Sequence, residues 1–335
     1  MAITRLTDLI VPEVFQQYLS LRSTELNRLV NSGIVVRDPR IDALLQGGGQ
    51  VFNLPFFNDL ANTEANVATD DPAVTATAQP ITTGKDIAIR HNRNQVWGAA
   101  DLEEALAGED PMAEIVTKVA GYWTRQDQRM LIQSLIGLFA DNVANDSGDM
   151  ANVLALKAAG TPGDSNKISA AAVLDTKQTM GDAADYLQAI AMHSTILNSL
   201  RKQNLISGIP ASDGRVAFQT FLGLTVIADD GIAPYTAGGQ TVHRVFLIGA
   251  GAFRWGEGSP KTPVEVQRQA LEGRGMGVEY LASRREFILH PAGYKWTSTT
   301  MTGKSPTNAE LATTANWDRV YDRKRIPLAM LEVNP

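Results

Sequence analysis

Cysteine is absent from the 335-residue chain, and histidine occurs only at His91, His193, His243 and His290. The first absence excludes disulfides, thiolate catalysis, zinc–thiolate sites and iron–sulfur ligation. Four scattered histidines leave no local imidazole cluster. An excess of positive charge is missing as well: Lys+Arg is 30 against Asp+Glu 36, a net charge of −6, which argues against nucleic-acid binding through bulk basic charge. Long apolar runs are lacking; Leu135–Ala140 is far too short to cross a bilayer. Met1–Ser20 carries Arg5 but no continuous apolar stretch or small-residue cleavage site, so neither a signal peptide nor a membrane partner is expected. What is present is a globular composition, 44% hydrophobic and 20% charged. The length suggests about two domains or one elaborated domain.

The motifs of catalysis fail one after another. Gly303-Lys304-Ser305 has the end of a phosphate-binding loop, but Ser298 stands where its first glycine belongs and Pro306 spoils the helix start. Gly273, Gly275 and Gly277 make GxGxG, with Val278 in place of the third dinucleotide-fingerprint glycine, so a bulge or turn is the reading. No GxSxG elbow and no HExxH occur. Asp229-Asp230 precedes Gly231 after a strand, where a turn favours Asp. His193, just before Ser194 at a strand-to-helix junction, reads as a cap. The basic run Arg319, Arg323, Lys324 and Arg325 is interleaved with Asp318 and Asp322, the pattern of a salt-bridged surface or a subunit contact. Catalytic, metal and cofactor residues are accordingly none.

The organisation is more telling. Between Pro12 and Gly33, Phe15, Leu19, Arg22, Leu26 and Leu29 share a helical face. After the breaker Gly47-Gly48-Gly49, Gln50–Phe57 reads as a strand with Phe52, Leu54 and Phe56 on one side, and Lys85–Trp97 as a second strand that includes Ile87. Half of residues 61–84 between them are Ala or Thr, and Lys and Arg are missing from Gln50 to Gly84. Two strands around such a tip cannot bury enough surface to stand alone, and a loop this long implies an interaction arm. Asp110-Pro111 caps and opens the longest helix, which keeps apolar spacing to about Asp141 around a polar middle, Arg125–Arg129. That pattern suits a helix that crosses a sheet and then meets other subunits. Residues 168–260 alternate helix and strand, and residues 263–297 are strand-rich.

This order of parts resembles the major capsid proteins of tailed bacteriophages. Four stretches carry the likeness: Ala189–Arg201, a strand then a helix; Phe221–Asp230, with Gly223-x-x-Val226 before its acidic pair; Phe246–Trp255; and Arg285–Trp296 with its turn. The resemblance implies an α+β capsid fold. Its parts would be an N-terminal arm over 1–47 and an extended β-hairpin E-loop over 48–98. The first part of the P domain would cover 99–167, with a spine helix at about 111–141. A mixed α/β A domain would take 168–262, return strands of the P and A domains 263–300, and a C-terminal tail 301–335. It also implies a non-enzymatic shell subunit that self-assembles into hexamers and pentamers of an icosahedral head around double-stranded DNA, without sequence specificity and without a cofactor. Portal, scaffolding or cement proteins would be further partners. The place would be the virion, after assembly in the host cytoplasm. An encapsulin-type cellular shell and an α/β enzyme with a cleft near Asp229 and His193 remain alternatives. The interface candidates are Phe15 and Leu19 in the arm and Phe52, Phe56 and Ile87 in the E-loop, with packing inside one subunit as the other reading.

Overall fold

The computed structural model describes residues 33–102, 110–210 and 216–335. The arm candidates Phe15 and Leu19 lie outside them. The chain enters through β1 (Val35–Arg37) and α1 (Pro39–Leu45), then forms the hairpin β2 (Val51–Phe57) and β3 (Thr83–Ile89), followed by β4 (His91–Ala100). The long helix α2 (Pro111–Asn145) leads to β5 (Ala151–Val153), α3 (Ala170–Gln178), β6 (Leu187–Met192) and α4 (Ser194–Lys202). Next come β7 (Ser207–Pro210), β8 (Val216–Phe221), β9 (Leu224–Ala228), β10 (Tyr235–Ala237) and β11 (Gln240–Gly249). The return path holds β12 (Phe253–Gly258), β13 (Val264–Gln269), β14 (Val278–Pro291), β15 (Tyr294–Trp296), α5 (Asn308–Leu311), β16 (Trp317–Arg319) and β17 (Leu328–Val333).

Two sheets organise this α+β body. In the first, the 14-residue β14 is the central strand: β12 and β13 share one of its edges, β4 takes the other, and β1 adds in parallel to β12. In the second the order is β5-β17-β11-β6-β9-β8-β7, with β10 on β11. Alternate residues of β11 serve two cores. Phe246 and Ile248 face α2 and the first sheet, while Val245 and Leu247 face α3 and α4. A strand covered on both faces reads as a continuous apolar run, as Val245–Ile248 does. Residues 301–335, read as a tail, supply β17, whose six residues are all buried between β5 and β11.

The long helix α2 forms as its local signals specify. The Asp110 carboxylate accepts from the Met112 and Ala113 N–H groups, and Pro111 stands in the first turn. Its first half lays Met112, Ile115 and Val119 on Trp97, Ala99 and Leu281, and Trp123 Nε1 donates to Ser283 Oγ at 2.9 Å. Its second half is buried nearly all round, with Phe139 stacked on Phe246 at 5.6 Å. Two residues of the polar middle have partners within the subunit. Arg285, packed among Trp123, Trp255 and Phe287, donates to Asp127 at 2.9 Å, and Gln128 Nε2 donates to Asp229 at 2.6 Å. Burial lifts the Asp127 carboxyl above the usual range against the pull of Arg285.

The stretch 85–97, read as one strand, is two. Arg90 separates them: its backbone N–H donates to Gln50, and its guanidinium donates to the Leu45 and Gly47 carbonyls and pairs with Glu286 at 2.9 Å. The chain thus leaves the hairpin ladder at Arg90 and joins β14 from His91 onward.

The basic run is used internally. Arg319 bonds Asp149 at 2.7 Å and lies 3.6 Å from Asp146; Arg323 donates to Thr179 and the Ile326 carbonyl; Lys324 pairs with Asp182 and Arg325 with Asp59. Burial raises the carboxyls of Asp141 and Asp146 above the ordinary range; Arg319 opposes this chiefly at Asp146, and the hydrogen bond from Asn145 chiefly at Asp141. A group raised in the folded state is destabilising once ionised and relieved on protonation. Replacing Arg319 by Met should therefore cost about 2–3 kcal/mol at pH 8 and less at pH 5, because the raised carboxyls take up protons sooner than ordinary ones as the pH falls. Urea unfolding of the unassembled subunit at the two pH values measures this; an equal loss at both would mean that Arg319 does not balance those charges.

Candidate functional site

The hairpin β2–β3 runs in strict antiparallel register from Val51↔Ile89 to Phe57↔Thr83. Asn58 closes the ladder: its N–H donates to the Thr82 carbonyl and its Nδ2 to Thr82 Oγ1, both at 2.9 Å. Beyond that point, residues 59–82 are exposed throughout and form neither helix nor strand. Their own hydrogen bonds are local, such as Ala73 N–H and Asp71 N–H to the side chains of Asp71 and Thr69. Among the described residues one ion pair ties the loop to the body, Asp59 to Arg325 at 2.7 Å. The loop carries Asp59, Glu64, Asp70 and Asp71 without a basic residue, and shows Leu60, Val67, Val74 and Ile81 to solvent.

The hairpin's two faces are not equivalent. The inner face seats Phe52 and Ala88 on Ile41, Leu45 and Ile288. Phe56 covers Gly84, where a Cβ would overlap its ring, and meets Tyr321 edge-on at 4.8 Å. Asp86, between them, reaches His290. Below the hairpin, His91 stacks on Phe287 at 5.2 Å, and burial together with Arg93 pushes its pKa down to about 3. The outer face exposes Val51 and Phe57.

This divides the candidate residues. Phe52 is 7% exposed and packs on α1 and β14 of its own subunit. Phe56 is half-buried against Tyr321, and Ile87 is half-buried on the outer side of β3. The side chain missed is Phe57, 69% exposed. Two adjacent phenylalanines end β2, and period-two alternation must send one of them outward. Replacing Phe57 by Ser should leave the subunit's unfolding midpoint unchanged and reduce particle yield. Replacing Phe56 by Ala should lower the stability of the unassembled subunit by about 1–2 kcal/mol through the lost Tyr321 and Gly84 packing. Chemical denaturation and particle counts separate the two, and the reverse pattern would reverse the assignment of the faces.

The cleft near Asp229 and His193 contains a different arrangement from a catalytic triad. Asp229 accepts from Gln128 at 2.6 Å and from the Gly231 N–H at 2.8 Å, the turn expected from the sequence. His193 Nδ1 accepts from the Thr195 N–H, capping α4. Asp230 accepts from the Ser194 N–H and stands 3.6 Å from His193 Nε2. Each of these groups is engaged in holding a turn or a helix end. Among the described residues, no three His, Asp or Glu side chains gather to hold a metal, and no helix is long and apolar enough to cross a membrane.

A family model described as Major capsid protein 13-like matches residues 47–326. The curated major capsid protein of Bacillus phage SPP1 is 36% identical over 335 residues, covering 99% of this chain and 98% of that protein. Among solved structures, the capsid of Ralstonia phage GP4 aligns with a TM-score of 0.61 at 10% identity over 96% of each chain. The Cyanophage Pam1 capsid asymmetric unit aligns with a TM-score of 0.57 at 10% identity, over 97% of this chain and 98% of that one. The α+β topology described above is thus the tailed-phage capsid fold.

Proposed function

Since the chain belongs to the Major capsid protein 13-like family, whose members are shell subunits and not enzymes, we propose that it closes its shell as hexamers and pentamers around double-stranded DNA, with the hairpin β2–β3 and loop 58–82 as the reaching arm. The observation that carries this reading is the loop itself. Twenty-odd residues leave a well-packed body with exposed apolar side chains and one-signed charge, and with one ion pair back to their own subunit. Contacts made by an extended segment on a neighbour hold a ring through many small interfaces where one flat patch would be weak.

The subunit is a component of the virion capsid. A net charge of −6 suits a wall that need not attract DNA: a strongly basic lining would resist both filling and emptying. Portal, scaffolding or cement partners and assembly in the host cytoplasm complete the proposal. Electron microscopy of the chain expressed alone tests it. Capsomer rings or closed shells are expected; monodisperse small globules at high concentration would overturn the arm's role. DNA content of purified virions separates this reading from a cellular compartment of the same fold.

A further inference from the structure

At the root of the hairpin lies a buried polar pair that the apolar packing around it does not require. Asp86 on β3 and His290 on β14 are each 1% exposed, with Oδ1 and Nε2 at 2.7 Å. Asp86 stands opposite Leu54 in the hairpin register, and His290 opposite Arg254 in the first sheet. The neighbouring charged and titratable groups are committed elsewhere or neutral: Arg90 to Glu286, and His91 held uncharged by burial. The apolar contacts beside it seat Phe52 and Ala88 on Ile41, Leu45 and Ile288.

We propose that the Asp86–His290 pair is a hinge pin that fixes the angle at which the hairpin leaves the body, and hence the direction in which loop 58–82 is offered to a second copy. The reason is the difference between the two kinds of contact. Apolar burial is non-directional, so the hairpin could tilt or slide on Ile41 and Ile288 at little loss. A buried carboxyl group with almost no access to water tolerates no such movement, because displacement from its partner breaks its hydrogen bond and leaves a buried polar group unsatisfied. A pair of this type adds little to stability relative to apolar side chains of similar size, and what it supplies is a single geometry. The loop end of the hairpin agrees: Phe56 on Tyr321 and Asp59 to Arg325 hold it there, so the pin and the shoulder together define one plane.

The proposal rests on the arm reading for its consequence, but its first test does not. In the unassembled subunit, Asp86→Ala should speed hydrogen exchange of the β2–β3 amides by about tenfold or more while β11 and β17 keep their protection. Unchanged hairpin exchange overturns the pin. The second test uses Asp86→Leu combined with His290→Leu, which removes both polar groups and also covers the case in which the single variant fails to fold. This subunit should unfold at or above the parent's midpoint and yet give particles of mixed size and shape. Uniform particles of the parental diameter overturn the pin, since the pair would then contribute no geometry. If the parent chain itself gives no particles, the arm reading fails, while the exchange comparison still decides the hinge.

Discussion

A subunit in which residues 59–81 are replaced by a two-residue Asn-Gly turn should fold at least as stably as the parent and form no shells. The ladder ends at the Asn58–Thr82 pair, so a tight hairpin turn joins the strands where they already meet. The removed residues contribute no buried side chain. Shortening a loop of this length lowers its closure entropy by about 1–2 kcal/mol. The loss of the exposed Asp59–Arg325 pair offsets about 0–1 kcal/mol of that. Thermal or urea unfolding of the unassembled subunit should therefore show an unchanged or slightly raised midpoint, while microscopy shows no closed particles. Opposite signs in the two measurements distinguish an assembly element from a folding element. Normal shells from this variant would mean that the arm is dispensable and that contacts between the bodies suffice.

How much of this could be read in advance depends on whether a feature is local. The start of α2 was legible because Asp110 and Pro111 act within one turn, and the Asp229–Gly231 turn because its hydrogen bond closes over two residues. The loop was legible from composition, since a stretch without basic or large buried residues cannot pay for its own ordering. What alternation could not reveal was which face of β2 is inward. Phe52, Leu54 and Phe56 share a side, but Ile288 and Tyr321, which make that side the inner one, lie more than two hundred positions away. The same distance hid His290 from Asp86, 204 residues apart. The run Leu328–Val333 passed for the end of a tail because its hydrogen-bonding partner, β11, comes some eighty residues earlier with no hairpin turn between them. Thr307 and Glu310 were a missed local signal: they form a capping box that starts α5, with Glu310 accepting from the Thr302 and Thr307 N–H groups. That turn is what aims the C-terminal segment back toward the spine helix.

The seating of that segment leads to the second large effect, at Gly137. Helix propensity alone favours Gly137→Ala by about 1 kcal/mol in the middle of α2. The packing predicts the opposite. A Cβ at this position would overlap the Leu311 carbonyl oxygen and stand 2.8 Å from Trp317 Nε1. Those two atoms are themselves hydrogen-bonded, the indole donating to the carbonyl at 2.8 Å. Neither can retreat easily: Leu311 is fully buried, Trp317 is 2% exposed, and its ring abuts Trp296 at 5.1 Å. The added methyl therefore has to displace backbone and not the end of a flexible side chain. Overpacking of this kind costs about 1–3 kcal/mol, and a buried indole N–H that loses its acceptor adds about 1–3. Against a propensity gain of about 1, the net expectation is a loss of about 3 kcal/mol, read as a lower urea midpoint of the unassembled subunit. The arm is untouched by this change, so particles formed at low temperature should have the parental diameter and fail on warming. A Gly137→Ala subunit as stable as the parent would show that residues 307–317 do not sit on the spine helix, and the inner face of the body would have to be redrawn.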